Sequence, residues 1–411
     1  MAITKGSQDG MEGTYLLVST IPVHHHGGKV WSDPLWVKDL ELHTDYIREI
    51  VLACPILNSA PPAGAKPISV QAMERIHLEW MPEFETHRGK LLGFPFFWSR
   101  FWKLVRRAGV LHFTVCAYPI FYGIVVPWLR RHTKIGLFGV IDGSFWRKPG
   151  STGRRKWLAD RCEAGAKAAC CNAHVVVATQ QQYIEELTDP ANSNHLAPAV
   201  WIDEESFLPA TELEPVLDSK VATLKSDLRV AFFGRLMHDK GPDLLVDAVR
   251  KLSRSGVAIH ADFYGEGPFR PELEAMASDL AGIVEFKGMV AYGPEFFQRV
   301  RSYHAMVLPA RSDEHHRLIF DGFAQAVPII ASSSPGLDRV TDRERGLRFE
   351  RGSADDLARA IVDLMEQPDL YRQMARASLA AAQSFSHRQM HRERARILST
   401  AFPSKLWITG H

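Results

Sequence analysis

No apolar run in this chain reaches the ~18 to 20 consecutive residues that a helix needs to cross a bilayer, so a membrane span is not expected. Cysteine is scarce, with five in 411 residues. Cys54, Cys116, Cys162, Cys170 and Cys171 follow no zinc spacing and no disulfide framework, and an odd count fits a reducing cytoplasm. The adjacent Cys170 and Cys171 read as packing residues rather than a redox pair. Charge of one sign is also missing. A formal net charge of +2 supplies no long-range field that would argue for nucleic acid as a partner. Low-complexity blocks and sequence repeats are absent. The segment 1–13 is polar and Gly-rich, carries no secretory pattern, and is expected to be a disordered lead-in.

What is present is an ordinary globular composition, 46% hydrophobic and 23% charged, in a chain long enough for two domains. Short apolar runs alternate with helical patterns throughout, which predicts an α/β fold with parallel sheets. Arg229 to Phe233 reads as a buried strand and Pro242 to Val249 as a helix with Pro at its first turn. Between them lies Gly234-Arg235-Leu236-Met237-His238-Asp239-Lys240-Gly241. In an open parallel sheet that turn sits at the carboxyl edge, where ligands bind. Arg235 offers a planar fork of donors and Lys240 a point charge, a pair suited to a diphosphate; a solvated basic turn is the alternative. Ala305 to Pro309 reads as a second buried strand, followed by Asp313 in a loop and Asp321 in a helix. An acid so placed accepts hydrogen bonds from ribose hydroxyls in nucleotide sites.

These residues resemble the retaining GT-B glycosyltransferases of family 4, or group 1. That family's pattern is Gly-Arg-Leu, three variable residues and Lys-Gly, which Gly234 to Gly241 match throughout. Its later pattern, Pro-Ser-x-x-Glu-Gly-Phe-Gly and then Glu-Ala-Met-Ala-x-Gly-x-Pro-Val-Ile, is met in register by Pro309, Asp313, Asp321, Ala324 and Pro328. Tyr264-Gly265-Glu266-Gly267-Pro268 is similar to the family's Gly-x-Gly-Pro strand end, and Phe286 to Val290 to its Phe-x-Gly-x-Val segment beside the nucleobase. The resemblance covers about 228–385 well and the first half loosely. Both family glutamates are Asp here, one methylene shorter, which draws each carboxylate back by over ~1 Å. The family's Gly-Phe-Gly is Glu314-His315-His316, so side chains stand where backbone N–H groups approach the donor.

The first half is read on weaker signals. Thr14 to Thr20 is a strand candidate, followed by His24-His25-His26-Gly27-Gly28. In the resembled family a Gly-Gly loop there faces the donor phosphate. Three consecutive histidines point in different directions, so a polar loop is expected before a metal site. Trp36 to Tyr46 is an expected helix, Ile50 to Cys54 a strand, and Val70 to Met81 a weak strand followed by loop. Phe94 to Leu111 reads as one helix with Trp98, Phe101, Trp102 and Val105 on one face and Arg100, Lys103, Arg106 and Arg107 elsewhere. It either packs on the sheet with a solvated basic side or lies at a membrane surface, where Trp128, Arg130 and Arg131 would join it. Ile135 to Ile141 reads as a strand ending at Asp142, which either caps the turn or orients the acceptor. Thr179 is an expected cap for the helix 180–187, and Ala199 to Asp203 an expected hinge strand.

The resemblance implies two doubly wound Rossmann-like domains facing across a cleft. Their expected bounds are 14–208 on the acceptor side, a linker over 209–227, a nucleotide-sugar domain over 228–385, and a helix over 386–411 that returns to the first domain. It implies a hexosyl transfer from a nucleotide-diphosphate sugar to a glycan, lipid-linked or small acceptor, with retention, in polysaccharide or glycolipid biosynthesis, in the cytoplasm or at its membrane face. Arg235 and Lys240 would take the charge of the departing diphosphate in place of a metal. Asp142 and Asp313 would join them at the reacting sugar. Gly27, Gly28, Gly265, Gly267, Val290, His316, Arg317 and Asp321 would complete the donor site. No cofactor beyond the donor is expected. No paired carboxylates argue for a glycosidase, and an epimerase or hydrolase on the same fold fits the Arg-Lys signature less well. A degenerate, non-catalytic nucleotide-sugar binder or scaffold is the reading from a different class.

Overall fold

A computed structural model describes residues 13–82, 97–148, 150–340 and 342–405. The chain forms two compact units: residues 1–146, 151–197 and 391–411, and residues 147–150 and 198–390. In the first unit the strands are β1 (Tyr15–Val18), β2 (Val23–His26), β3 (Lys29–Ser32), β4 (Ile50–Cys54), β5 (Ile56–Leu57), β6 (Lys66–Pro67), β7 (Ile76–Trp80), β8 (Val110–Thr114), β9 (Gly136–Ile141), β10 (Val175–Ala178) and β11 (Ser193–Leu196). The second unit holds β12 (Leu228–Phe233), β13 (Ile259–Tyr264), β14 (Val284–Gly288), β15 (Ala305–Leu308), β16 (Ile329–Ser332) and β17 (Gly346–Phe349).

Seven strands of the first unit pair in the order β11-β10-β9-β8-β1-β4-β7, all parallel. The second unit has the order β14-β13-β12-β15-β16-β17, again all parallel. Such strands are covered on both faces and read as continuous apolar runs, as Ile50–Cys54 and Ala305–Leu308 do, buried at every position. Each order reverses beside its first strand, the doubly wound pattern that places ligands beyond the carboxyl ends. In the second unit β12 and β13 run in register from Leu228↔Ile259 to Phe233↔Tyr264. Their following turns, Gly234 onward and Gly265 onward, therefore leave the sheet side by side.

Several elements differ from expectation. Residues 70–80 form a short helix, Val70–Met73, capped by Ser69, and then strand β7, in place of the expected strand followed by loop. The helix expected over 94–111 is present over 97–105, while its start falls outside the described residues. Its last positions belong to β8, because Gly109 donates its N–H to the Thr14 carbonyl at 3.0 Å and starts the ladder beside β1. Thr179 caps nothing; its hydroxyl faces the Ile141 carbonyl and Gln180 precedes the helix Gln181–Leu187. No strand forms at 199–203. The expected linker is largely the helix Ala210–Thr223, folded into the second unit. Pro215 argues against it in sequence but removes only one ladder bond. Leu217 and Lys220 are buried there, and Lys220 Nζ donates to the Tyr303 carbonyl at 2.8 Å.

Candidate active site

The turns after β12 and β13 wrap around each other. Gly234 N–H donates to the Tyr264 carbonyl at 2.9 Å, and Leu236 N–H to the Glu266 carbonyl at 3.0 Å. Gly265 and Gly267 allow this approach, since a side chain at either would meet the Gly234 or Leu236 carbonyl. A short 3-10 turn, His238–Lys240, then leads through Gly241 into the helix Pro242–Arg254. Arg311 braces the turn from the next strand's loop: its guanidinium grips the Asp243 carboxylate with bonds of 2.7 and 2.5 Å and also donates to the His238 carbonyl. Nothing in the sequence pattern singled out this brace.

Around these turns lies a cavity of about 540 Å³. Of the expected site residues, Arg235, Lys240, Gly265, Val290, His316 and Arg317 line it. Arg235 is exposed and has no ion pair among the described residues. Lys240 Nζ donates to Glu314 Oε2 at 3.0 Å, so a carboxylate of the same loop occupies this ammonium. The wall opposite is aromatic: Tyr264 stacks on Phe233 at 4.7 Å, and Tyr292 lies beneath the Arg317 guanidinium at 5.6 Å.

His315 and His316 also line the cavity, and His315 Nδ1 and Nε2 and His316 Nε2 are buried without a hydrogen-bond partner. Burial pushes the His315 imidazole down to about 4, helped by the Arg339 charge. Burial pushes His316 well below its ordinary value, with the charge of Lys240 adding to the effect. Both rings are therefore neutral near pH 7, each with one donor and one acceptor. A sugar hydroxyl matches that pair, being donor and acceptor at once.

Two expected acids stand outside this lining. The Asp313 carboxylate accepts from Arg351. Asp321 is almost fully buried and accepts from the Tyr292 hydroxyl at 2.7 Å, so Tyr292 stands between it and the cavity wall. Gly267 likewise contributes backbone packing rather than wall. Glu314, at the position where the family has glycine, is the acid that lines the cavity from this loop. Tyr292 was not anticipated, and an aromatic just past the Phe286 to Val290 segment is the only sequence trace of it.

The remaining expected residues belong to the first unit. Gly27 and Gly28 form the two-residue turn between β2 and β3, both with positive φ (59° and 72°), as a type I′ hairpin turn requires. The three histidines do not converge: His24 is buried and shares a hydrogen bond with Ser59, while His25 and His26 are exposed. Asp142 is exposed just after β9, beside Cys116, whose thiol is pushed up by burial and then by the Asp142 charge.

With this geometry the comparisons agree. Residues 227–367 match the family model described as Glycosyl transferases group 1. That match lies within the second unit, and the two Rossmann-like units have the GT-B fold. Among curated proteins the chain is similar to an alpha-D-kanosaminyltransferase of Streptomyces kanamyceticus, 28% identical over 36% of this chain and 38% of that protein. It is also similar to a D-inositol 3-phosphate glycosyltransferase of Streptomyces scabiei, 30% identical over 38% of this chain and 37% of that protein. The chain thus spans well under half the length of these relatives. Among solved structures, the sucrose-phosphate synthase of Thermosynechococcus elongatus superposes with a TM-score of 0.70 at 16% identity, over 95% of this chain and 99% of that one. Anabaena HepE in complex with UDP superposes with a TM-score of 0.65 at 16% identity, over 94% of this chain and all of that one (100%).

Proposed function

We propose that the protein is a glycosyltransferase that moves a hexosyl group from a nucleotide-diphosphate sugar to a glycan, lipid-linked or small-molecule acceptor, with retention and without a metal, in the cytoplasm. The observation that carries this reading is the turn of Arg235 and Lys240 opening into a cavity walled by aromatic rings and two neutral imidazoles. As the sugar–phosphate bond breaks, its electron pair stays on the diphosphate, while the acceptor oxygen bonds to the anomeric carbon and gives up its proton to the departing diphosphate oxygen. Arg235 and Lys240 meet the growing negative charge on the leaving group. Donor binding then requires the Lys240 ammonium to exchange Glu314 for phosphate. Arg317 and the aromatic wall hold the nucleoside end, and His315 and His316 read sugar hydroxyls. Asp142 would orient the acceptor. The UDP complex of the Anabaena neighbour supports a nucleoside diphosphate as the ligand class.

The test is a thermal-shift panel of UDP, GDP, ADP and their common sugars, with and without EDTA. Binding to the folded state raises the midpoint by mass action. One nucleotide should give a clear rise that EDTA leaves unchanged; no rise from any of them would sink the reading.

A second reading is a degenerate binder or scaffold without transfer activity. The pairs Lys240–Glu314 and Asp313–Arg351 favour it, since both bind up charges that a transferase uses on its donor. Glu314→Gln separates the two. In a transferase it frees Lys240 and tightens nucleotide binding while turnover persists, whereas a scaffold shows no nucleotide release with any acceptor.

A further inference from the structure

The first unit contains a second large cavity, about 830 Å³, at the edge of its sheet where β8 and β9 begin. Arg106, Arg107, Lys134 and Lys405 line it together with the indoles of Trp102 and Trp128, and among the described residues no carboxylate does. Among the described residues none of these four cations forms an ion pair; Lys405 Nζ donates only to the Lys134 carbonyl. Arg130 stands close by and, after burial itself, holds the Lys405 ammonium below its ordinary value. Four like charges around one cavity repel each other unless an anion enters.

The indoles continue into an apolar stripe. Trp102 meets Trp128 edge to face at 4.8 Å, and Trp128 stacks on His132 at 4.7 Å. On the helix Pro119–His132, Ile120, Ile124 and Trp128 recur at every fourth residue, so they share one face. All three are exposed, by 40%, 67% and 46%. The last turn of the same helix is basic, with Arg130, Arg131 and His132. A soluble anion would satisfy the cations but leave this stripe in water. A bilayer surface satisfies both: phosphate headgroups meet Arg and Lys, indoles sit at headgroup level, and isoleucines reach the acyl boundary. Among the described residues no helix is long and apolar enough to cross a membrane, so the contact is peripheral.

We propose that this cavity binds the phosphate headgroup of an anionic phospholipid, with the Ile120–Ile124–Trp128 stripe seated in the bilayer interface. Every residue involved lies in the first unit, so the proposal stands independently of the donor site. The test is co-sedimentation of the full chain with vesicles of phosphatidylcholine alone and of equimolar phosphatidylglycerol and phosphatidylcholine, followed also by tryptophan fluorescence. Binding should require phosphatidylglycerol, weaken steeply with salt, and shift tryptophan emission to shorter wavelength. Arg106→Glu with Lys134→Glu should lose at least tenfold in vesicle affinity, and so should Ile124→Ser with Trp128→Ser. A cooperative thermal melt like that of the unaltered chain should persist in both, showing that they fold; should a double variant fail that control, Arg106→Gln or Ile124→Ser alone replaces it. Equal binding to neutral vesicles, or no loss in folded variants, would overturn the headgroup site. Inorganic phosphate stabilising the protein through Arg106 and Lys134, with no vesicle binding, would assign the cavity to a soluble anion instead and overturn it too.

Discussion

At the scale of single residues, the cavity of the second unit is a contest among charges. Arg235 is unpaired among the described residues, whereas Lys240 is held by Glu314, so the two cations of one motif begin from different states. Replacing either by Ala should cost about 2–4 kcal/mol of transition-state stabilisation, the scale of losing one donor aimed at developing charge. The ratio of kcat/KM values reads this directly, and near-normal turnover in both variants would remove them from the site. The histidine pair makes a separate prediction about pH. Burial holds His315 at about 4 in the folded chain against an ordinary 6.5, so the unfolded chain takes up the proton first as pH falls. Its contribution is therefore fully present above about 6.5 and is lost on the way down to about 4, at up to ~1.4 kcal/mol per pH unit. Urea unfolding from neutral to mildly acidic pH should show that slope, and His315→Gln should reduce it, leaving the share of His316, which burial lowers in the same way. An unchanged slope in the variant would assign it to other groups.

At the scale of elements, the phosphate turn works because backbone meets backbone. Gly241 sits at φ 69°, and a side chain there would lie 2.0 Å from the Pro309 carbonyl oxygen. Gly241→Ala should lower stability by at least ~1 kcal/mol from the left-handed conformation alone. It should also weaken nucleotide binding, because Lys240 precedes the displaced residue. Denaturant midpoints together with a nucleotide titration check both effects; wild-type affinity in a destabilised variant would mean that the turn does not position Lys240. The strand, turn and helix here were legible in sequence because each carries its own local signal: an apolar run, a Gly-Arg-Leu turn, and Pro at the first helical turn. The helix Ala210–Thr223 was not, since Pro215 and a polar composition imitate a linker. Tertiary burial of Leu217 and Lys220 overrides that local signal.

At the scale of the whole molecule, each unit has its own sheet and core, and the chain's last residues belong to the first. His391 Nε2 donates to Asp39 Oδ1 at 3.0 Å and its other ring nitrogen shares a hydrogen bond with Tyr46, while Arg394 donates to His43 at 2.9 Å. Ile397, Leu398 and Phe402 are buried in the same core. Ending the chain at residue 390 removes all of these and takes one hydrogen bond from each of the buried Asp39, His43 and Tyr46, at up to ~1–3 kcal/mol each. Limited proteolysis of that truncation should degrade 13–197 while 198–390 stays protected. A protease-resistant first unit would show that its core closes without the terminal helix.

The sequence by itself determined the alternation that makes two parallel α/β units and the motif that puts Arg235 and Lys240 on one turn. Both are local, written within a few residues of each other. Only the tertiary structure decided where the acids go. One position along a loop turns a side chain to a different side, so Asp313 meets Arg351 while Glu314 enters the cavity, and Tyr292 covers Asp321 from another element. The basic-aromatic cavity of the first unit is likewise a tertiary product. Its residues come from three separate stretches of chain, around 105, 130 and 405, and no local pattern ties a terminal lysine to a central tryptophan.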